Sequence, residues 1–242
     1  MDHLQEYHVT RGNKDLLLFL PYAVPGFYDK GFFSHTACYL LEVALREIPA
    51  VARDWETEVM TFNPPADLPM IHGDRLWERF LREVRRRRPR IVAFSLYGWS
   101  SGPSEGAARA LRAASPEILL VAGGPEVADR EDFVARCDAF DLVIEGDGEA
   151  PLAELLQRLA AGGDFDGIPG LSWRTDDGWR HNPVRHGGPP LPIPDVYTPN
   201  PQHLAGGAFY LSTRGCNRAC KYCQWATQGL RQKDPDQIIR EL

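Results

Sequence analysis

Residues 90–124 read RIVAFSLYGWSSGPSEGAARALRAASPEILLVAGG. Two apolar runs, RIVAFSL from Arg90 and EILLVAG from Glu117, enclose a helix-like segment that runs roughly from Pro103 to Ala114. Strands that are apolar end to end are covered on both faces, and a helix between two of them makes the pair parallel. The crossover is then right-handed. This stretch therefore predicts one unit of a parallel α/β sheet.

The same unit repeats on both sides. Upstream lie a strand DLLLFL from Asp15, a helix SHTACYLLEVALREI from Ser34, a strand TEVMTF from Thr57, and a helix GDRLWERFLREVRRRR. Ser34 suits an N-cap, because its hydroxyl can accept from a free backbone N–H. Leu76, Phe80, Leu81 and Val84 recur at helical spacing. Downstream come a short helix near EDFVARC, a strand DLVI from Asp141 and a helix APLAELLQRLA from Ala150. Residues 12–162 thus predict a five-stranded, parallel, doubly wound sheet of the flavodoxin-like order 2-1-3-4-5. Its ligand crevice lies beyond the carboxyl ends of the strands, at the switch between strands one and three. The loops there are PYAVPGFYDKG, with Tyr22, and YGWSSG, with Tyr97 and Gly98.

The pattern changes after residue 162. GLSWRTDDGWRHNP predicts a hairpin, with Trp173 and Trp179 flanking an Asp-Asp-Gly turn. Pro189 to Pro201 hold six prolines, which makes residues 163–206 a hairpin and a semi-rigid linker. AFYLSTRG, from Ala208, predicts one more buried strand. A final helix starts with Asp234 as cap and Pro235 at its first position.

Composition is that of a globular protein: of 242 residues, 43% are hydrophobic and 25% charged, and the formal charge is -6. Bulk charge gives no reason to expect nucleic acid. RRRRPR, residues 85 to 90, reads as a solvated helix end whose positive charge suits the dipole. The apolar run LLLFL near the amino terminus is too short for a signal core or a membrane span, so a cytoplasmic protein without a membrane partner is expected.

Five cysteines without an export signal argue against a disulfide framework. Cys38 and Cys137 fall in amphipathic helices and read as core. The other three lie in RGCNRACKYCQW, spaced CxxxCxxC. Thiolates are the usual iron–sulfur ligands, and this spacing lets one loop hold three corners of a cubane. The fourth iron is then open to another ligand. A zinc knuckle that uses His203 is the competing reading, although zinc sites usually come as paired Cys/His sets.

CxxxCxxC after a strand ending in S/T-RGC, with an aromatic before the last cysteine, resembles the radical S-adenosylmethionine (radical SAM) superfamily. The resemblance implies that Cys216, Cys220 and Cys223 hold a [4Fe-4S] cluster and that Tyr222 packs near the adenine. It also implies that the open iron binds S-adenosylmethionine, which one electron from the cluster cleaves to a 5′-deoxyadenosyl radical, and that a partner such as a flavodoxin or ferredoxin supplies electrons. Residues 207–242 would be the first β/α unit of a (β/α) barrel. A full barrel needs roughly 200 residues or more, so the reading expects a fragment, a truncated product, or one half of an enzyme completed by a second chain.

A second resemblance covers about residues 12–162. Ser95 ends strand three, Gly123, Gly124, Pro125 and Glu126 end strand four, and EGDGE, with Glu145, Gly146 and Gly148, ends strand five. This order resembles the cobalamin-binding domain that often precedes a radical SAM barrel. The resemblance implies that these loops, together with Tyr22, Tyr97 and Gly98, receive the corrin edge and the nucleotide tail. It implies that Gly124→Val blocks the ring with little loss of fold. The DxHxxG loop that supplies a cobalt ligand in methionine synthase-like domains is absent, and His35 lies beyond the corresponding loop. The bland reading of the glycines is that they serve turns. The function expected is cobalamin-dependent radical chemistry, commonly methyl transfer to an unactivated carbon of an unknown small molecule or peptide. The alternative is a non-catalytic cobalamin-binding module.

Overall fold

The structure, a computed structural model, describes residues 15–20, 36–60, 73–128, 130–184, 210–218, 220–221 and 230–241. Ser34, His203, the loop at Tyr22, the proline-rich stretch, Tyr222 and Cys223 lie outside these residues, as does the side chain of Leu76.

The first five strands are β1 (Asp15–Leu20), β2 (Trp55–Val59), β3 (Ile91–Ser95), β4 (Leu119–Gly123) and β5 (Leu142–Ile144). They run parallel in the order β2-β1-β3-β4-β5. Burial alternates along them. Ile91, Ala93, Leu119, Val121, Leu142 and Ile144 feed the core on one face, while Val92, Phe94, Leu120, Ala122 and Val143 feed the core on the other. Period-two side-chain direction on strands that are apolar throughout produces these two cores, and each fully buried Leu or Ile contributes about 1.5–3 kcal/mol.

Helices cover both faces. On the first lie α1 (Thr36–Arg46), α2 (Pro49–Asp54) and α6 (Glu149–Ala161). On the second lie α3 (Gly73–Arg87), α4 (Ser101–Ala114) and α5 (Arg130–Arg136). On α3, Phe80 and Val84 are buried and Leu81 packs against them. The helix expected from Ser34 to Ile48 is α1, and a short second helix not expected from sequence, α2, follows it at once. Pro49 cannot donate a backbone hydrogen bond and forces Ile48 into an extended conformation (φ -92°, ψ 108°), so α1 stops and α2 starts at Pro49. The arginines that end α3 bond to protein groups: Arg87 donates to Glu58 and Glu83 at 2.7 Å each, and Arg85 to the Ala114 carbonyl at 3.4 Å.

The expected all-parallel, five-stranded sheet is corrected to a mixed sheet of seven. The hairpin β6 (Leu171–Thr175) and β7 (Gly178–His181) pairs antiparallel onto the edge of β5. The sheet thus continues past residue 162. Trp173 is buried in one core and Trp179 packs on the other, so the hairpin protects an edge that would otherwise offer unpaired N–H and C=O groups.

The expected buried strand from Ala208 is also corrected. Among the described residues, from Tyr210 on, pairing is confined to β8 (Thr213–Arg214) with β9 (Arg231–Gln232), antiparallel, and Thr213 is exposed. The closing helix, α7 (Pro235–Glu241), begins as expected: Asp234 Oδ1 accepts from the backbone N–H of Asp236 at 2.8 Å. Among the described residues, no helix is long and apolar enough to cross a membrane.

Candidate cofactor-binding site

β3 and β4 end together, with Ser95 paired to Gly123. The loops that follow stay joined: Leu96 N–H donates to the Gly123 carbonyl at 2.7 Å, and Glu126 N–H donates to the Leu96 carbonyl at 3.2 Å. Gly124 sits in this contact with φ +100°, and a Cβ there would lie 2.6 Å from the Leu96 carbonyl oxygen. The absent side chain makes room for backbone. The expectation that Gly124→Val would spare the fold is therefore corrected. Gly123 and Gly98 are less confined, since a Cβ on either would meet its nearest neighbour, the Ile144 carbonyl oxygen or Glu126 Oε2, at 3.7 and 3.6 Å. Pro125 opens a 3₁₀ turn that carries Glu126, which accepts from Arg136 at 3.4 Å.

Tyr97 begins the turn into α4. Its carbonyl accepts from the N–H groups of Ser100 and Ser101, at 2.8 Å each. Its ring stacks on Trp99 at 4.7 Å and 16°, while Trp99 itself is 52% exposed. The Ser95 side chain favours the ionised form of both the Tyr97 phenol and the Cys38 thiol. Burial pushes the thiol of Cys38 up to about 12, outweighing the opposing effect of Ser95. Burial also raises the Tyr97 phenol above its ordinary range. Cys38 and Cys137 are core residues, as expected.

Ser104, in the first turn of α4, is 1% exposed, and its Oγ has no hydrogen-bond partner. Buried hydroxyls are normally satisfied by protein, water or ligand. This one lies in the first turn of the helix that follows β3, on the side that carries the core residues Ala107, Ala108 and Leu111.

Beyond β5, Glu145 N–H donates to the Gly170 carbonyl at 3.0 Å. Gly146 takes a left-handed φ of +91°, which favours glycine, and Gly148 caps α6 beside the Leu41 side chain. The two carboxylates that follow face the cysteine segment. Arg214 Nη1 donates to Glu149 Oε1, its Nη2 lies 4.0 Å from Asp147 Oδ1, and Arg231 donates to Asp147 Oδ2. Burial acts to lower the Arg214 guanidinium, but the charges of Glu149 and Asp147 outweigh it and hold the group above its usual range. Tyr97 acts on Arg214 in the same direction. Neither Arg214, Arg231 nor Ser104 was singled out from sequence; the arginine before Gly215-Cys216 was the one available signal.

In the cysteine loop, Cys216 and Cys220 are half-buried free thiols. Arg218 N–H donates to Cys216 Sγ at 3.3 Å. N–H groups aimed at sulfur are among the contacts that tune iron–sulfur clusters, so the donor set fits one. Among the described residues, no three His, Cys, Asp or Glu side chains come together as a metal site; Cys223 lies outside them. The loop is stapled from behind. Lys233 pairs with Glu241, its ammonium sits 4.8 Å from the centre of the Tyr210 ring, and Tyr210 donates to Glu241 at 2.6 Å.

Residues 40–156 match the family model described as the B12 binding domain. A 2-(S-pantetheinyl)-carbapenam-3-carboxylate methyltransferase from Streptantibioticus cattleyicolor is 31% identical over 181 residues, which cover 64% of this chain and 25% of that protein. The cobalamin-dependent radical SAM methyltransferase TokK from Streptomyces tokunonensis is 30% identical over 172 residues, covering 63% and 25%. Among solved structures, the radical S-adenosylmethionine methyltransferase TsrM from Kitasatospora setae, with cobalamin and a [4Fe-4S] cluster bound, superposes with a TM-score of 0.63 at 19% identity, over 95% of this chain and 45% of that one. The chain thus spans about a quarter of the length of these curated relatives.

The parallel part of the sheet and its carboxyl-end loops fall largely within the stretch that matches the B12 binding domain model. Cobalamin-dependent radical SAM methyltransferases are among its relatives and structural neighbours, the kinship that the order of its loops and cysteines implies.

Proposed function

We propose that this chain provides the corrin domain and the cluster loop of a cobalamin-dependent radical SAM methyltransferase that acts at an unactivated carbon. One observation carries the reading: Arg214, two residues before Cys216, is paired with Glu149 at the carboxyl edge of the B12-binding domain's own sheet. The two halves of the chemistry meet there. When bound, cobalamin and the cluster with S-adenosylmethionine would supply the methyl-transfer and radical chemistry.

This chain's residues bind and orient. Cys216, Cys220 and Cys223 hold the cluster, with the Arg218 N–H supporting the first thiolate. The Tyr97–Trp99 stack and the Gly123–Gly124 backbone line the corrin crevice. His181, the histidine among the described residues, lies on β7 with its Nδ1 2.9 Å from Ser172 Oγ, away from that crevice. A corrin in that crevice would be met by backbone and aromatic faces, with no histidine among the described residues that line it. The active assembly also needs the rest of a barrel, a one-electron donor of the flavodoxin or ferredoxin kind, and a small-molecule or peptide substrate.

The test is titration of the anaerobically purified chain with hydroxocobalamin, followed by paramagnetic resonance of the reduced cobalt(II) form. Saturable binding with the nucleotide base displaced and no splitting from a protein nitrogen is expected. A histidine nitrogen splitting overturns the histidine-free crevice. No binding by the folded chain overturns the corrin assignment. Cobalamin uptake without any iron uptake would leave a binding module rather than a radical enzyme.

A further inference from the structure

Arg214 and Arg231 face each other across the β8–β9 pair. Like charges directly opposite on paired strands repel, and a pair of two-residue strands has little stability of its own. Both guanidinium groups are nonetheless largely buried, with side chains 21% and 19% exposed, against Glu149 at 5% and Asp147 at 34%. Removing one member of such a cluster leaves an uncompensated buried charge, which is strongly destabilising. The position of the cysteine loop therefore depends on two carboxylates that belong to a different part of the fold.

We infer that Asp147 and Glu149 are positioning residues: they clamp Arg214 and Arg231 and so set the distance and orientation of the cluster loop relative to the corrin crevice. The inference rests on the proposed function for its two cofactors, but the clamp itself is a property of the polypeptide. It gives the EGDGE segment a role apart from contact with the corrin. The glycines shape the turn and the acids hold the cluster loop.

The test uses the full chain with Asp147→Arg, Arg231→Asp and the two substitutions combined. Without cofactors, amide hydrogen exchange in residues 210–218 and 230–234 should quicken at least about tenfold in each single variant and return close to the parent rate in the combined one. Exchange in α4 and α6 should hold. With iron, sulfide and hydroxocobalamin loaded and the protein reduced, the microwave power that saturates the cobalt(II) signal reports the nearby paramagnetic cluster. That coupling should be lost in the single variants, at unchanged iron and cobalamin content, and return in the combined variant. A purely structural contact would not move it at full occupancy. Single variants that exchange and saturate like the parent overturn the clamp, and so does failure of the combined variant to recover either signal. Should the parent chain load neither cofactor, the proposed function fails, and the exchange rates still decide the clamp.

Discussion

Gly124 faces the backbone of Leu96 with no room for a β-carbon, which would sit 2.8 Å from the Leu96 nitrogen and nearer still to its carbonyl oxygen. The loops after β3 and β4 are held together through this contact. Gly124→Ala combines overpacking with a left-handed conformation that alanine disfavours, so it should cost roughly 3 kcal/mol. Urea unfolding measures it. A variant as stable as the parent would show that the loops part easily.

Cys38 gives stability a pH dependence. Its folded value of about 12 lies above an ordinary 9.0, because burial disfavours the thiolate. The protonated thiol is compatible with the fold, so this contribution is fully present below pH 9. It is lost as pH rises from there toward about 12, where the unfolded chain has released a proton that the native one keeps. The slope should be about 1.4 kcal/mol per pH unit. Unfolding of the parent and of Cys38→Ala between pH 8.5 and 10.5 should show a shallower decline in the variant. Parallel declines would mean that Cys38 ionises freely in the fold.

Asp141 fixes the start of β5. Its Oδ2 accepts from the Leu120 N–H at 2.8 Å and from Arg112. Asp141→Ala would leave the Leu120 N–H without this acceptor and Arg112 without its ion pair, though Arg112 keeps the Pro116 and Ile118 carbonyls, and should lose about 1–3 kcal/mol, and Asp141→Asn less, because the amide oxygen can still accept. Thermal or urea unfolding distinguishes the three. Equal loss in both variants would show that charge, rather than acceptance, matters.

The cluster loop makes a prediction of composition. Anaerobic reconstitution with iron and sulfide should give about four irons per chain, and alanine at Cys216, Cys220 or Cys223 should abolish the brown chromophore. Cys38→Ala and Cys137→Ala should leave it. Stoichiometric zinc in the purified protein with no iron uptake would overturn this assignment.

The alternation of apolar strands and helices was readable because each element carries its own period. IVAFS and LLVAG are buried throughout, while Phe80 and Val84 return at helical spacing. The short helix α2 that starts at Pro49 was not legible, because six residues carry too little apolar period to stand out. The hairpin at Trp173 and Trp179 was visible, yet its docking on β5 was not, because edge pairing depends on which strand lies last in the sheet. The strand expected from Ala208 misled for a related reason: an apolar run does not say what will cover it.

Residue order alone determined the parallel α/β unit, the CxxxCxxC spacing and the loop positions that point to a corrin domain, since these follow from periodicity and from side-chain chemistry close together in the chain. Only the tertiary structure decided that Gly124 serves Leu96, that Ser104 is left without a partner, and that Asp147 and Glu149 hold Arg231 and Arg214. Those last pairs span 84 and 65 positions. Charge and hydrogen-bonding capacity are written in the sequence, but which groups meet is set by how the sheet brings its carboxyl ends to one edge.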